Sequence, residues 1–422
     1  MRTRAILRIA RLSAFSRRST LVLTLAAIAL ATALLIGVER IRHDTRQSFV
    51  QSVSGVDLVV GPRTGAVQLM LYAVFRTGSA THTLRWSSYR ALADHPAVAW
   101  AVPLSLGDSY RGFPVLGTTP DYFAHFRYGD KRPLALRAGR VFERPFEAVV
   151  GSEIAKRLGQ TIDSRLVLSH GAGNDLLPEH GDKPFTVVGV LAPTGTPVDR
   201  TVHVSLESIT ALHLDWAGGA PLPGVNIPPE LATKFDLTPQ EITAVLVGLK
   251  QRSDAFRMQR FVNAFRDEAL MAVLPGVALD ELWDTLDIFE RALRGISVLV
   301  VLVSLAGLVA TLLAGLNERR RELAILRSLG ASPLDLFLLL ACEGLLITAA
   351  GAAAGLLLVT DAAWWLHDAL RSAFGVELST LLPSPDEAWL LAAILSTGLL
   401  ASAIPAFRAW RMALADGLTP RQ

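Results

Sequence analysis

Apolar residues in this chain are gathered into blocks. Four windows, residues 20–38, 295–316, 336–360 and 388–407, are nearly unbroken runs of Leu, Val, Ile, Ala and Gly. Each is close to the ~20 residues that a helix needs to cross a bilayer. Between the first two windows the pattern changes. Short apolar runs at 56–60, 98–106, 113–116, 185–191, 201–204 and 242–249 predict strands, and stretches at 86–93, 153–158, 206–212 and 254–273 predict helices. The pairs Gly61-Pro62 and Thr119-Pro120 and the run 192–197 mark turns between them. The helix expected at 254–273, followed by another at 282–294, would form a stalk leading back to the second window. The predicted fold class is an α-helical membrane bundle of four transmembrane helices plus a large mixed α/β extracytoplasmic domain between spans 1 and 2.

Charge placement gives the orientation. The segment before the first window carries Arg2, Arg4, Arg8, Arg11, Arg17 and Arg18 without an acid, and the last segment carries Arg408, Arg411 and Arg421 against Asp416. The link between the third and fourth windows instead holds Asp361, Asp368, Glu377, Asp386 and Glu387 against Arg371. Basic loops are retained in the cytoplasm. The expected organisation is therefore a cytoplasmic tail at 1–19, spans at 20–38, 295–316, 336–360 and 388–407, an external domain at 41–290, a cytoplasmic helix at 317–332, an external loop at 361–387 and a cytoplasmic tail at 408–422. Ile6, Ile9, Ala10 and Ser13 can share a helical face opposite Arg4, Arg8 and Arg11. That tail either lies on the membrane surface or simply fixes orientation. The first window exceeds the usual ~7–15 residues of a signal-peptide core and is followed by no small-residue cleavage site, so an uncleaved anchor is expected.

The segment 317–332, NERRRELAILRSLGAS, is the most informative in the chain. On a helix, Leu323, Ile325, Leu326 and Leu329 form an apolar ridge, while Glu318, Arg319, Arg320, Arg321, Glu322 and Arg327 cover the other faces. Gly330 stands where a left-handed stop is wanted, Ser332 can cap the next helix, Pro333 suits its first position and Asp335 its first turn. A helix so placed is expected to dock another protein and pass its motion into the third span. Within that span, Gly351 and Gly355 give the small-xxx-small spacing of closely packed membrane helices. Glu343 sits in the same span and is expected to face the bundle or a partner, in a structural, conformational or proton-carrying role.

The residues Glu318, Arg319, Glu322, Leu323, Ile325, Leu326, Arg327, Leu329, Gly330 and Ala331 match a pattern, E-R-x-x-E-[IL]-x-[IL]-L-[RK]-[AS]-[LI]-G-[AS], that this chain shares with the FtsX/MacB family of ABC permeases. Glu343, Gly351 and Gly355 also resemble that family's third span, and residues 183–206 are similar to the second lobe of its periplasmic domains. The resemblance implies an inner-membrane permease subunit, not itself an enzyme, that works as a dimer with a second copy or a homologue. Glu318, Arg319, Glu322, Leu323, Leu326, Arg327, Leu329 and Gly330 would couple it to a separate ABC ATPase, which binds the ATP and Mg²⁺. The chain itself holds no G-x-x-x-x-G-K-[ST] phosphate loop, so no cofactor is expected in it. Movement of the external domain would serve export or extraction of a peptide, lipoprotein or drug. Signalling to a periplasmic partner is the alternative. Membrane lipid and a periplasmic adaptor or substrate protein are further expected partners, and nucleic acid is not.

A metal-uptake role is the remaining alternative. The nine histidines, at 43, 82, 95, 125, 170, 180, 203, 213 and 367, all fall on the predicted outer side. The densest grouping is His170, Asp175, Glu179, His180 and Asp182, whose donors suit zinc but whose spacing matches no standard zinc site. These residues are weak ligand candidates, and a solvated loop explains them better. Cys342, the one cysteine, lies in the third window, so the external domain relies on its own core rather than on disulfides.

Overall fold

The computed structural model describes residues 18–78, 80–171, 180–217, 220–222, 224–225, 227–318, 320–328, 330–374 and 384–411. Most of both basic tails therefore lies outside the described residues. The described chain divides into two units, one built on Thr45–Leu286 and one on the long apolar helices.

The four windows are helices that outrun their apolar cores: Arg18–Gln51, Pro275–Glu318, Pro333–Phe374 and Pro385–Arg411. All four are long and apolar enough to cross a membrane. Small residues bring them together. A Cβ added at Gly351 would lie 2.7 Å from Ile28 of the first helix, and one at Gly355 only 2.5 Å from the Ala29 carbonyl oxygen. On another face, an added Cβ at Gly344 would fall 1.9 Å from Ser402 Oγ of the fourth helix. Polar bonds supplement this packing: Ser304 Oγ donates to Ala27 O at 3.2 Å, and Thr24 and Thr311 share a hydrogen bond of 3.0 Å.

Beyond the apolar window the first helix carries Arg40, which is buried. Its Nε and Nη2 donate to the two carboxylate oxygens of Glu387, at 2.8 and 2.9 Å. Glu387 was expected in the acidic external loop. It lies instead in the first turn of the fourth helix, 2% exposed, because a carboxylate can be buried when a guanidinium meets it with two parallel bonds. Close by in sequence, Glu39 accepts from Arg42 and Arg294.

The large domain is a mixed eleven-stranded sheet clasped by short helices. Its strands are β1 (Leu58–Pro62), β2 (Val98–Tyr110), β3 (Phe113–Thr118), β4 (Leu136–Gly139), β5 (Glu147–Val150), β6 (Arg165–Leu166), β7 (Ser169–His170), β8 (Phe185–Leu191), β9 (Val202–Ser205), β10 (Ala244–Leu249) and β11 (Leu270–Val273). The order is β11-β1-β10-β2-β3-β9-β5-β8-β4, with β7 on β2 and β6 on β8. The β3–β9 and β5–β8 pairs are parallel and the others antiparallel.

The thirteen-residue β2 is the spine, pairing β10 through its first half and β3 through its second. Helices α1 (Ala66–Ala73), α2 (Trp86–Ala93), α3 (Ser152–Leu158), α4 (Leu206–Leu212) and α5 (Ala255–Asn263) supply Leu69, Leu92, Ile154, Leu212 and Met258 to three apolar clusters. Each such side chain contributes roughly 1.5–3 kcal/mol through burial.

One expected helix is corrected. Residues 254–273 do not form a single helix: α5 ends at Asn263, and Leu270–Val273 becomes β11, paired antiparallel to β1. Its residues Leu270, Ala272 and Val273 are buried, and Asn263 Oδ1 accepts from Ala272 N at 2.9 Å. Covering the edge of β1 outweighs helix propensity there. The following helices, expected as separate pieces at 282–294 and 295–316, are one, Pro275–Glu318.

Two outcomes test this packing. Gly355→Val should lower the unfolding midpoint of the detergent-solubilised chain, since overpacking costs about 1–3 kcal/mol. Arg40→Met or Glu387→Leu alone should cost about 3–5 kcal/mol and the double substitution much less. Additive losses in a double-mutant thermal-melting cycle would contradict the pair.

Candidate functional site

The segment between the second and third long helices forms a short helix, Arg320–Ser328. Its stop is a Schellman motif: Ala331 N donates to Leu326 O at 3.0 Å and Gly330 N to Arg327 O at 2.9 Å. Gly330 adopts φ of +93°, a conformation in which a Cβ is strained. The third long helix then begins with a reciprocal cap. Asp335 N donates to Ser332 Oγ at 3.2 Å, and Ser332 N donates to Asp335 Oδ2 at 2.8 Å, with Pro333 at the first helical position. Two residues, Gly330 and Ser332, thus set the angle at which one helix hands over to the next.

The ridge expected on this helix is divided. Leu323 is 4% exposed and sits in an apolar cluster with Leu316, Leu336, Leu340 and Ala406, against which Leu326 also packs. Ile325, in contrast, is 48% exposed, while Arg327 is half-buried. Leucines a turn apart anchor the helix to the bundle, and the residue between them points away. Glu318, Glu322, Arg319 and Leu329 have side chains outside the described residues. Glu343 is half-buried in the third long helix, and Gly351 and Gly355 meet the first.

The weak metal candidates are regrouped by the large domain. His170 and His180 come together, while Asp182 stays partly exposed, its carboxylate 3.9 Å from Lys183 Nζ. Asp175 and Glu179 lie outside the described residues. Two residues that local spacing could not suggest complete the cluster: Asp108 and His213.

Asp108 sits at a bulge in β2, where the register with β3 shifts between Leu106 and Ser109. A bulge re-aims a side chain, and β7 then places His170 directly opposite Asp108. His213 caps the C-terminus of α4, its Nδ1 3.0 Å from Ile209 O. His180 is fully buried, and the Trp216 ring lies 4.1 Å from its own. Behind them the buried Lys183 donates to Asp215 and to Leu212 O, at 3.2 Å for the latter, fixing the turn after α4.

Asp108 Oδ1 lies 3.2 Å from His170 Nδ1 and 3.5 Å from His213 Nε2. Burial alone would raise the Asp108 pKa, but the hydrogen bonds with His170 and His213 outweigh it and hold the value at about 2. Bonding to Asp108 raises His170, whereas burial drives His180 down to about 4. At neutral pH the cluster therefore presents an ionised carboxylate and, in His180, a neutral imidazole.

Comparison with known proteins fits this architecture. The FtsX-like permease C-terminal model matches residues 294–414, and the MacB-like periplasmic core domain model matches residues 21–248, more than half of the chain. The macrolide export ATP-binding/permease protein MacB of Azoarcus sp. (strain BH72) is 26% identical over 361 residues, covering 84% of this chain and 50% of that protein. The chain thus spans about half the length of this curated relative. Among solved structures, the periplasmic region of MacB from Actinobacillus actinomycetemcomitans aligns with 56% of this chain and 97% of its own, at 10% identity and a TM-score of 0.35. The extracellular domain of the noncanonic ABC-type transporter YknZ from Gram-positive bacteria aligns with 52% and 98%, at 14% identity and 0.29.

Membrane-length helices joined to a MacB-like extracytoplasmic core and an FtsX-like C-terminal region define an ABC transporter permease. The chain belongs to the FtsX/MacB family.

The helix hand-over is open to test. Gly330→Val should cost about 1–3 kcal/mol through strain at positive φ, and Ser332→Ala about 1 kcal/mol through the lost cap. Both are read as lower melting midpoints in detergent, and an unchanged midpoint for Gly330→Val would contradict the left-handed stop.

Proposed function

We propose that this chain is an inner-membrane permease subunit that turns ATP hydrolysis by a separate ATPase into movement of its periplasmic domain. The observation that carries this reading is the helix Arg320–Ser328. Leu323 and Leu326 pin it to the bundle, Ile325 is left facing outward, and Gly330 and Ser332 join it to the third long helix without slack. A push on such a helix passes to the third long helix instead of being lost in a loop. Pro275–Glu318 contributes residues to both units of the chain, which supports transmission along the backbone.

Basic residues at both ends and in the short helix favour cytoplasmic termini. The ATPase, binding ATP and Mg²⁺, would then dock from that side, and the permease would act as a dimer with a second copy or a homologue. The name of the Azoarcus relative supports export as the direction of work; export or extraction of a peptide, lipoprotein or drug is the proposed task. An adaptor or substrate protein would meet the periplasmic domain. Glu343, Gly351 and Gly355 serve the packing through which motion is relayed. No catalytic group is assigned to this chain.

The division of the short helix gives a sharp test. Ile325→Asp should abolish recovery of the ATPase with the tagged chain from native membranes, with the melting midpoint unchanged. Leu323→Asp should instead lower that midpoint, because burying an unpaired carboxylate is strongly unfavourable. Full ATPase recovery with Ile325→Asp would rule out the exposed face as the docking surface.

A further inference from the structure

We propose that Asp108, His170, His180 and His213 form a four-ligand site for a divalent transition-metal ion of the zinc class. One donor atom from each residue lies within 4.8 Å of all the others. Two of these separations, 3.2 Å from Asp108 Oδ1 to His170 Nδ1 and 3.5 Å to His213 Nε2, bracket the edge of a tetrahedron. Zinc–nitrogen and zinc–oxygen bonds of about 2.0–2.1 Å give an edge of about 3.4 Å.

Proton placement points the same way. A carbonyl oxygen can only accept, so His213 Nδ1 carries the hydrogen that binds Ile209 O. That leaves Nε2 as the atom that His213 turns toward Asp108 Oδ1, 3.5 Å away. The His180 ring is 0% exposed, and neither nitrogen has a hydrogen-bond partner among the described residues. Buried polar groups are almost always paired, and an ion shared with His170, His213 and Asp108 supplies a partner for one of the two nitrogens.

The donor set selects the ion. Three imidazoles with one carboxylate suit zinc and its neighbours and not calcium or magnesium, which take oxygen ligands. With four protein donors the site is closed, which is the arrangement of a holding site rather than a hydrolytic one. The supporting shell is also present. Ile209 O orients His213, and the buried Lys183–Asp215 pair fixes the turn beside it. The ligands come from β2, β7, the start of the segment leading to β8, and the end of α4. A bound ion would therefore tie together parts of the sheet that are far apart in sequence.

The test is a titration of the metal-depleted full chain in detergent with zinc chloride. One equivalent should bind per chain and raise the unfolding midpoint, and Co²⁺ in its place should give the visible spectrum of a four-coordinate ion. Asp108→Asn and His180→Gln should each weaken zinc binding at least about 100-fold without lowering the metal-free midpoint. His82→Gln, an exposed histidine, should change nothing. Should a buried variant fail to fold, His170→Gln at the half-exposed ligand is read in its place. Absence of stoichiometric binding would overturn the site, as would binding that survives Asp108→Asn, His180→Gln and His170→Gln alike, which marks adventitious surface zinc. None of these readouts depends on an ATPase, so the site stands or falls separately from the coupling role.

Discussion

Lipid gives an apolar helix no reason to leave it, so a membrane bundle depends on surfaces where backbones can come close. Here that constraint falls on the third long helix. Gly351 and Gly355 admit the first helix to within the reach of a single methyl group, and Gly344 admits Ser402 of the fourth. Ala406, on the fourth helix, shares an apolar cluster with Leu323 of the short helix and Leu336 of the third. The hub of the bundle is therefore the same helix that the Gly330–Ser332 hand-over starts. Rigid contact on two faces and a fixed entry angle belong together. A helix loosely held by its neighbours could not relay what happens at its end.

In the large domain the corresponding element is β2, which runs through both halves of the sheet. Its bulge is the point where the ladder is interrupted and where Asp108 is turned toward three histidines. Regular pairing on either side gives the site stiffness, and the irregularity gives it a carboxylate. The two needs are met by adjacent residues of one strand.

Much of this could be read in the sequence. The four spans follow from unbroken apolar blocks, and strands such as Phe185–Leu191 from short apolar runs between turns. The stop and cap around Gly330 and Ser332 follow from local chemistry, since each residue acts on neighbours within a turn. What failed was non-local. Leu270–Val273 looks helical until β1 offers an edge to cover. Leu323 and Ile325 look like one ridge until the bundle claims the first. Asp108 lies 62 residues before His170, and only the pairing of β7 with β2 brings them into register. Glu387 read as one more acid of the external loop because its partner, Arg40, is 347 residues away.

That last separation bears on how the molecule is made. During synthesis the first helix enters the membrane with Arg40, and the carboxylate that binds it through two parallel bonds arrives only with the fourth. Until then the guanidinium has Asp44 of its own helix as a nearby charge and favours water or lipid headgroups over a packed interior. The final helix is thus the one that lets the first be fully enclosed. A chain interrupted before Glu387 would display a guanidinium stripped of its two-pronged partner, a chemical mark by which incomplete copies differ from finished ones.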